Sequence, residues 1–484
     1  MRFFVWHTQN KQQRSQRKNP VMSLKLHGLP EECKLSTAMH TQILQDIYPI
    51  SMIERILSAC ATWERRQRKL TLLLIVWMVI TMNWYPKRSQ IGVLSTLARG
   101  ARFLWPSDEI ALPGASALPY RREQVGTEPL RQLMRQACVP LATDETNGAF
   151  RLGSRVMAID GTWQNVANTP ANEAAFGRFQ MGTSQSAFPQ VRCVLLVECG
   201  THAIVDVDLD ACRRSEHHGA HRLLRSLTSD MLVTLDAGFL SVGLWYGIRQ
   251  RDAHVLGMVP SDKLQAAGQR LSDGSVLTRL APSRTSLYPC KEAVPVRVIS
   301  YRILDPQVGK PEKIFRLATT LLDPVTAPAT ELITLYHERW EAELVIDELK
   351  THQHLCAQTL RSQTPEGVRQ ELYGWFLAHY ALRAWMHRAA LQADLDPDQL
   401  SLTQALTAVD EALFSFALVA PQDHPRIIHR LLLDLSAHPL PPRRFRINAR
   451  VVKQPRSKWK RKWPKHDHGP HLKNTSFLDV VLLI

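Results

Sequence analysis

Two short apolar runs in this chain each close on an aspartate and a glycine: Arg155-Val-Met-Ala-Ile-Asp160-Gly-Thr-Trp163 and Met231-Leu-Val-Thr-Leu-Asp236-Ala-Gly-Phe239. Runs of this length, bounded by turn residues, read as buried strands with an acid at the tip. With helical patterns between and after them, they point to an α/β fold. An aspartate at a strand tip is ordinarily a turn former. Two of them on rigid strands, joined by an acid from a helix, have instead the makings of a site for a hard divalent cation.

The helical acid lies in Tyr336-His-Glu-Arg339-Trp-Glu-Ala-Glu343-Leu-Val-Ile-Asp-Glu-Leu-Lys350. At about 100° per residue, with Tyr336 at zero, Arg339 falls near ~300°, Glu343 near ~340° and Lys350 near ~320°. A phenol, a guanidinium, a carboxylate and an ammonium would then share one face. Leu335, Ala342, Val345 and Leu349, between roughly 180° and 260°, would form the buried stripe. Charge runs of this kind are commonly solvated surface. Glu343, however, has no Lys or Arg four residues on and meets Asp347 there, so helix stabilisation does not account for the pattern. Asp347, near ~20° on the same wheel, is its rival as the helical acid.

The order Asp-Gly-Thr, Asp-Ala-Gly-Phe and then Tyr-x2-Arg-x3-Glu-x6-Lys resembles the DDE transposases of bacterial insertion sequences, specifically the insertion-sequence-four family. Tyr336, Arg339, Glu343 and Lys350 match that family's signature without a gap. Glu64-Arg-Arg-Gln-Arg-Lys-Leu70, Tyr120-Arg-Arg-Glu-Gln-Val-Gly126 and Ala449-Arg-Val-Val-Lys-Gln-Pro-Arg456 also resemble stretches of these enzymes, so the likeness runs from near residue 40 to the tail.

Composition agrees. The 484 residues carry a net charge of +16 and a pI near 9.7, which points to a polyanionic partner, nucleic acid before an anionic membrane surface. Eight scattered cysteines with no CxxC suit a reducing cytoplasm rather than a disulfide framework or a zinc site. Glu216-His217-His218-Gly-Ala-His221 reads as the start of a helix rather than a metal site. The apolar run Leu70–Trp84 is short of the ~20 residues a membrane span needs and has basic flanks on both sides, so a buried helix is expected.

The expected organisation is a disordered basic leader over 1–40, an N-terminal helical domain over 41–145 and a catalytic domain over 150–365. A C-terminal helical region over 366–440 and a basic tail over 441–484, carrying Trp459 and Trp463, follow. Strands near 155–163, 190–198 and 203–209, a helix from about 216, a strand ending at Asp236 and another near 254–259 give the order of a ribonuclease-H-like core, a mixed five-stranded sheet with helices. A β-rich insertion at about 260–322 would interrupt it, with strands at Val294–Ile303 and Lys313–Leu322.

The resemblance implies that Asp160, Asp236 and Glu343 are catalytic and hold two Mg²⁺ ions, with Mn²⁺ able to substitute, Asp160 bridging. Arg339 and Lys350 would clamp phosphates and Tyr336 would hydrogen-bond a neighbouring one. It implies cut-and-paste movement of the chain's own insertion sequence through a hairpin at the element end. The N-terminal helices would bind that end. The partners would be double-stranded DNA, as terminal inverted repeats and target, and a second copy of the chain on paired ends, with no membrane. The setting would be a bacterial cytoplasm, near the nucleoid. Two other readings share the acids: a ribonuclease-H-like nuclease without strand transfer, and a non-catalytic DNA-binding remnant of a transposase.

Overall fold

The computed structural model describes residues 42–62, 64, 70–97, 116–181, 184–260, 268–282, 292–305, 311–353, 359–416 and 421–442, with short pieces at 23–24, 110–111, 288, 290, 419, 451–452, 460–461, 476, 479 and 481–483. Apart from those pieces, the leader and the basic tail with Trp459 and Trp463 lie outside the described residues, as do Arg65–Lys69 and most of Ala449–Arg456.

The apolar run folds as a helix over Leu72–Thr81, and all ten of its residues are buried. Its start is capped twice: Thr71 Oγ1 accepts from the Leu74 N–H at 3.2 Å, and Glu64 Oε1 accepts from the Leu72 N–H at 2.8 Å. Arg121 holds Glu64 in an ion pair and donates to the Leu70 carbonyl at 2.6 Å. No face of this helix is polar because it is enclosed by the 29-residue helix Pro365–Ala393 on one side and by the helices Ile50–Ala59, Gln90–Leu97 and Ala117–Val125 on the others. The two backbones touch at Gly374, where an added Cβ would stand 2.5 Å from the Val79 carbonyl oxygen, so only glycine permits the approach. Tyr48 donates to the Leu377 carbonyl at 2.6 Å, Trp84 to that of Ala378 at 3.1 Å, and Trp385 to that of Ile43 at 3.0 Å. The N-terminal helices and the C-terminal helical region therefore share one core. Among the described residues no helix is long and apolar enough to cross a membrane.

Beside that core stands a mixed sheet. Its strands are β1 (Ser154–Asn165), β2 (Gln190–Glu198), β3 (Ala203–Ala211), β4 (Met231–Leu235), β5 (His254–Met258), β6 (Val276–Leu280), β7 (Val294–Ile303) and β8 (Phe315–Thr319). The spatial order is β6-β7-β8-β5-β4-β1-β2-β3. β1, β4 and β5 run parallel, β2 and β3 antiparallel to their neighbours, and β5 pairs antiparallel with β8.

The sheet does not stop at five strands. β8, β7 and β6, from the insertion, extend it past β5, and short strands bring its count among the described residues to eleven. The physical reason is the edge of β5, whose unpaired backbone groups would otherwise face solvent and are satisfied by β8.

Candidate active site

Register places the two aspartates. Ala158 on β1 pairs with Thr234 on β4, so Asp160 and Asp236 each lie two residues further along neighbouring parallel strands. They share a level and, with a side-chain period of two, a face. That face is the one bearing Val156, Ala158 and Leu232, and it is covered by Leu332, Leu335 and Ala342 from the helices that follow β8. The third acid is thus brought over the strand ends by apolar packing.

The carboxylate surroundings differ. Asp160 accepts from the Gly161 N–H at 2.7 Å. Burial pushes its carboxyl up to about 6, against the help of that N–H and of Arg339, and Asp236 and Glu343 add repulsion. Asp236 caps a short turn, accepting from the Phe239 N–H at 3.1 Å. Glu343 accepts from Arg339 Nη2 at 3.0 Å. This is an i,i+4 pair read backwards along the chain, a partner that the forward spacing from Glu343 to Asp347 conceals.

One cleft of about 440 Å³ is lined by Asp160, Gly161, Thr162, Asp236, Arg339, Glu343, Ile346, Asp347, Lys350 and Thr351. Five of the six residues singled out in the sequence therefore meet there. Tyr336 does not line it. It lies in the last turn of the preceding helix, Ala329–His337, packs among Tyr301 and its neighbours and hydrogen-bonds Arg339, while burial pushes its hydroxyl up to about 12. The reason is a break in the expected helix: the chain turns at Glu338 and Arg339, resumes as Trp340–Asp347, and widens to a π-helical turn over Glu348–Gln353. A single helical wheel does not hold across those changes of pitch. Arg339 still spans the junction, its guanidinium 6.0 Å from the Tyr336 ring centre and 5.6 Å from that of Trp340. Lys350 enters from the π-helical turn, and burial lowers its pKa.

Four carboxylates and two cations line this cleft, although the chain as a whole is strongly basic. Such an excess repels a phosphate backbone unless cations intervene. Among the described residues no three His, Cys, Asp or Glu side chains stand close enough to grip one ion together. Asp160, Asp236 and Glu343 nonetheless line the same cleft, and their carboxylate oxygens are the donor type that hard divalent ions take.

Sequence reasoning missed two features. Glu216 lies against the cleft wall, since a Cβ on Gly161 would come within 2.8 Å of its carboxyl carbon, and Arg192 pairs with it at 2.5 Å. Behind the cleft, Glu348 is buried and accepts from His202 Nδ1 at 2.9 Å, His379 Nε2 at 3.0 Å and Arg383 Nε at 3.1 Å. His202 Nε2 reaches Glu341 at 2.7 Å. Burial opposes charge on Glu348, but Arg383 and His202 outweigh it and hold its carboxyl well below the usual range. His202 lies 146 residues from Glu348, so no local spacing signals the contact. The histidines at 217, 218 and 221 lie in the helix Glu216–Leu223; His221 stacks on Tyr288 with ring centres 3.4 Å apart.

Residues 151–381 match the transposase DDE domain, and residues 38–135 the N-terminal domain of the insertion element 4 transposase. The chain belongs to the DDE transposase family. It is an enzyme that cuts DNA strands and transfers them, and the family works with divalent metal ions. The transposase is 28% identical over 85% of its length to the transposase InsG for insertion sequence element IS4 of Escherichia coli (strain K12), covering 91% of that protein. It is 26% identical over 51% of its length to the putative transposase InsZ of the same organism, covering 82% of it. Among solved structures, a piggyBac transposase synaptic complex with hairpin DNA aligns over 85% of this chain and 87% of that one, at 14% identity and a TM-score of 0.41.

Proposed function

We propose that this transposase excises and inserts its own insertion sequence by phosphodiester hydrolysis and strand transfer in the cleft between β1, β4 and the helix Trp340–Asp347. The observation that carries the reading is the meeting of Asp160, Asp236 and Glu343 in one acid-lined cleft of a basic protein. The strand order, three antiparallel strands followed by two parallel ones around β1, supports a ribonuclease-H-like core. The segment between β5 and β8 is then an insertion within it.

In this reading Asp160, Asp236 and Glu343 would hold a pair of Mg²⁺ ions, Asp160 serving both and Asp236 and Glu343 one each. Bound there, the ions supply Lewis-acid stabilisation and nucleophile activation, and Mn²⁺ can replace Mg²⁺. The remaining work falls to the chain. Arg339, released from Glu343, offers a planar fork to a phosphate next to the cut, and Lys350 offers a point charge from the other end of the cleft. The Tyr336 hydroxyl keeps its proton at neutral pH and can donate to a phosphate arriving at the Arg339 side. The basic N-terminal helices bind the terminal inverted repeats, and two copies act on paired ends.

The test is an assay on supercoiled target DNA with a donor carrying the element's terminal repeats. Cut donor together with joined product is expected. Cutting without any joined product would assign the cleft to a nuclease instead, and binding without either to a remnant.

A further inference from the structure

The segment that delivers Glu343 and Lys350 is bolted from behind. Glu341 and Glu348 are seven residues apart, two helical turns, and so share the side opposite the cleft. One imidazole reaches both: His202 contacts Glu341 through Nε2 and Glu348 through Nδ1. His202 sits in the turn joining β2 to β3 with a left-handed φ of 60°, a conformation that a non-glycine residue holds only where its surroundings fix it. His379 and Arg383, one turn apart on the long helix, close on Glu348 from the helical core. Glu348 also starts the π-helical turn from which Lys350 enters the cleft.

We propose that Glu348, gripped by His202, His379 and Arg383, is a positioning residue that sets the pitch and height of the site helix, and with them the places of Glu343 and Lys350. A buried ion network is weak evidence for stability, because apolar residues of the same volume serve as well, and its best attested use is to fix one alignment among several. Here it ties three distant segments at the point where the helix changes pitch. Ala342, Val345, Ile346 and Leu349, which also pack this helix, could slide by a turn, whereas a buried carboxylate held by three donors on two other segments cannot. The inference rests on the reading of Glu343 as a metal ligand.

The experiment uses the full chain with a duplex carrying its terminal repeat. Glu348→Gln keeps the shape and removes the charge, and Glu348→Gln with Arg383→Gln removes both charges should the first variant fold poorly. Free Mn²⁺ is followed by electron paramagnetic resonance, cleavage by Mg²⁺ titration, and end binding and melting temperature alongside. The Mn²⁺ affinity is expected to weaken, and half-maximal Mg²⁺ to rise, by about tenfold or more, as for other outer supports of a metal site, with end binding within about twofold. These constants do not depend on the folded fraction, so a lower melting point with both constants within about twofold of the parent would overturn the proposal. Glu343→Gln runs in parallel. If it also leaves Mn²⁺ binding and cleavage intact, the metal reading itself falls, and the positioning role with it.

Discussion

The segment Trp340–Gln353 carries acids on two opposite sides, and they are settled in opposite ways. Inward, Glu341 and Glu348 meet His202, His379 and Arg383, and the charge is balanced within the protein. Toward the cleft, Glu343 and Asp347 join Asp160 and Asp236, and two cations among the described lining residues, Arg339 and Lys350, face these four acids. A closed network holds shape, whereas an open excess of carboxylates leaves a demand for cations that something from outside must meet. The transposase thus spends buried charge on alignment and exposed charge on chemistry.

The comparison breaks most readily at Glu343. Glu343→Gln should lower end cleavage by about 10³-fold or more, since loss of a metal ligand removes roughly 4 kcal/mol of transition-state stabilisation, with end binding retained. Gel assays of cutting and of binding on the same preparation check both halves. On the inner side, Arg383→Ala leaves Glu348 buried without its main cation and should lower unfolding stability by about 3–5 kcal/mol, read by denaturant titration. A loss as small as that of a surface substitution would mean the network is not closed as described.

A subtler contrast concerns Asp160. Its pKa in the folded chain is raised from 3.8 to about 6, so the group favours the fold below 3.8 and that contribution is lost as pH rises through about 6. Without metal, Asp160→Asn should therefore stabilise the chain at pH 8, by on the order of 1–3 kcal/mol, and make no difference below pH ~4. Melting curves in chelator at both pH values decide it, and a destabilised variant at pH 8 would contradict the burial argument. Arg339→Ala should weaken end binding by about 1 kcal/mol and reduce the salt slope by about one. Smallest of all, Asp347→Asn should change cleavage by less than about threefold, because Asp347 is half exposed and already holds Thr351 at 2.7 Å. An effect as large as that of Glu343→Gln would exchange the two acids.

What could be read from the sequence was what is local. Asp160 and Asp236 announce themselves because a short apolar run ending in Asp-Gly or Asp-Ala-Gly is a strand tip in any context. The strands over Val294–Ile303 and around β8 follow from alternation, and the burial of Leu72–Thr81 from an apolar run without a polar face. The rest depends on distant partners. The pairing of β8 on β5, which merges the insertion with the sheet, is decided by an unsatisfied edge rather than by either strand's pattern. The turn at Glu338–Arg339 separates the helix of Tyr336 from that of Glu343, and the π-helical turn changes the pitch ahead of Lys350, so a uniform wheel misplaces both ends of the motif. Glu341 and Glu348 look like solvated charge in a charge-rich helix, and only His202, His379 and Arg383 make them core.

The central claim is that Asp160, Asp236 and Glu343 jointly hold divalent ions against DNA. Crystals of the transposase with its terminal-repeat duplex and Mn²⁺ test it through anomalous scattering. Two peaks about 4 Å apart between Asp160, Asp236 and Glu343, with Glu343 swung away from Arg339, are predicted. An empty cleft with the Arg339–Glu343 pair intact, while Mn²⁺ occupies sites elsewhere on the same complex, would contradict it.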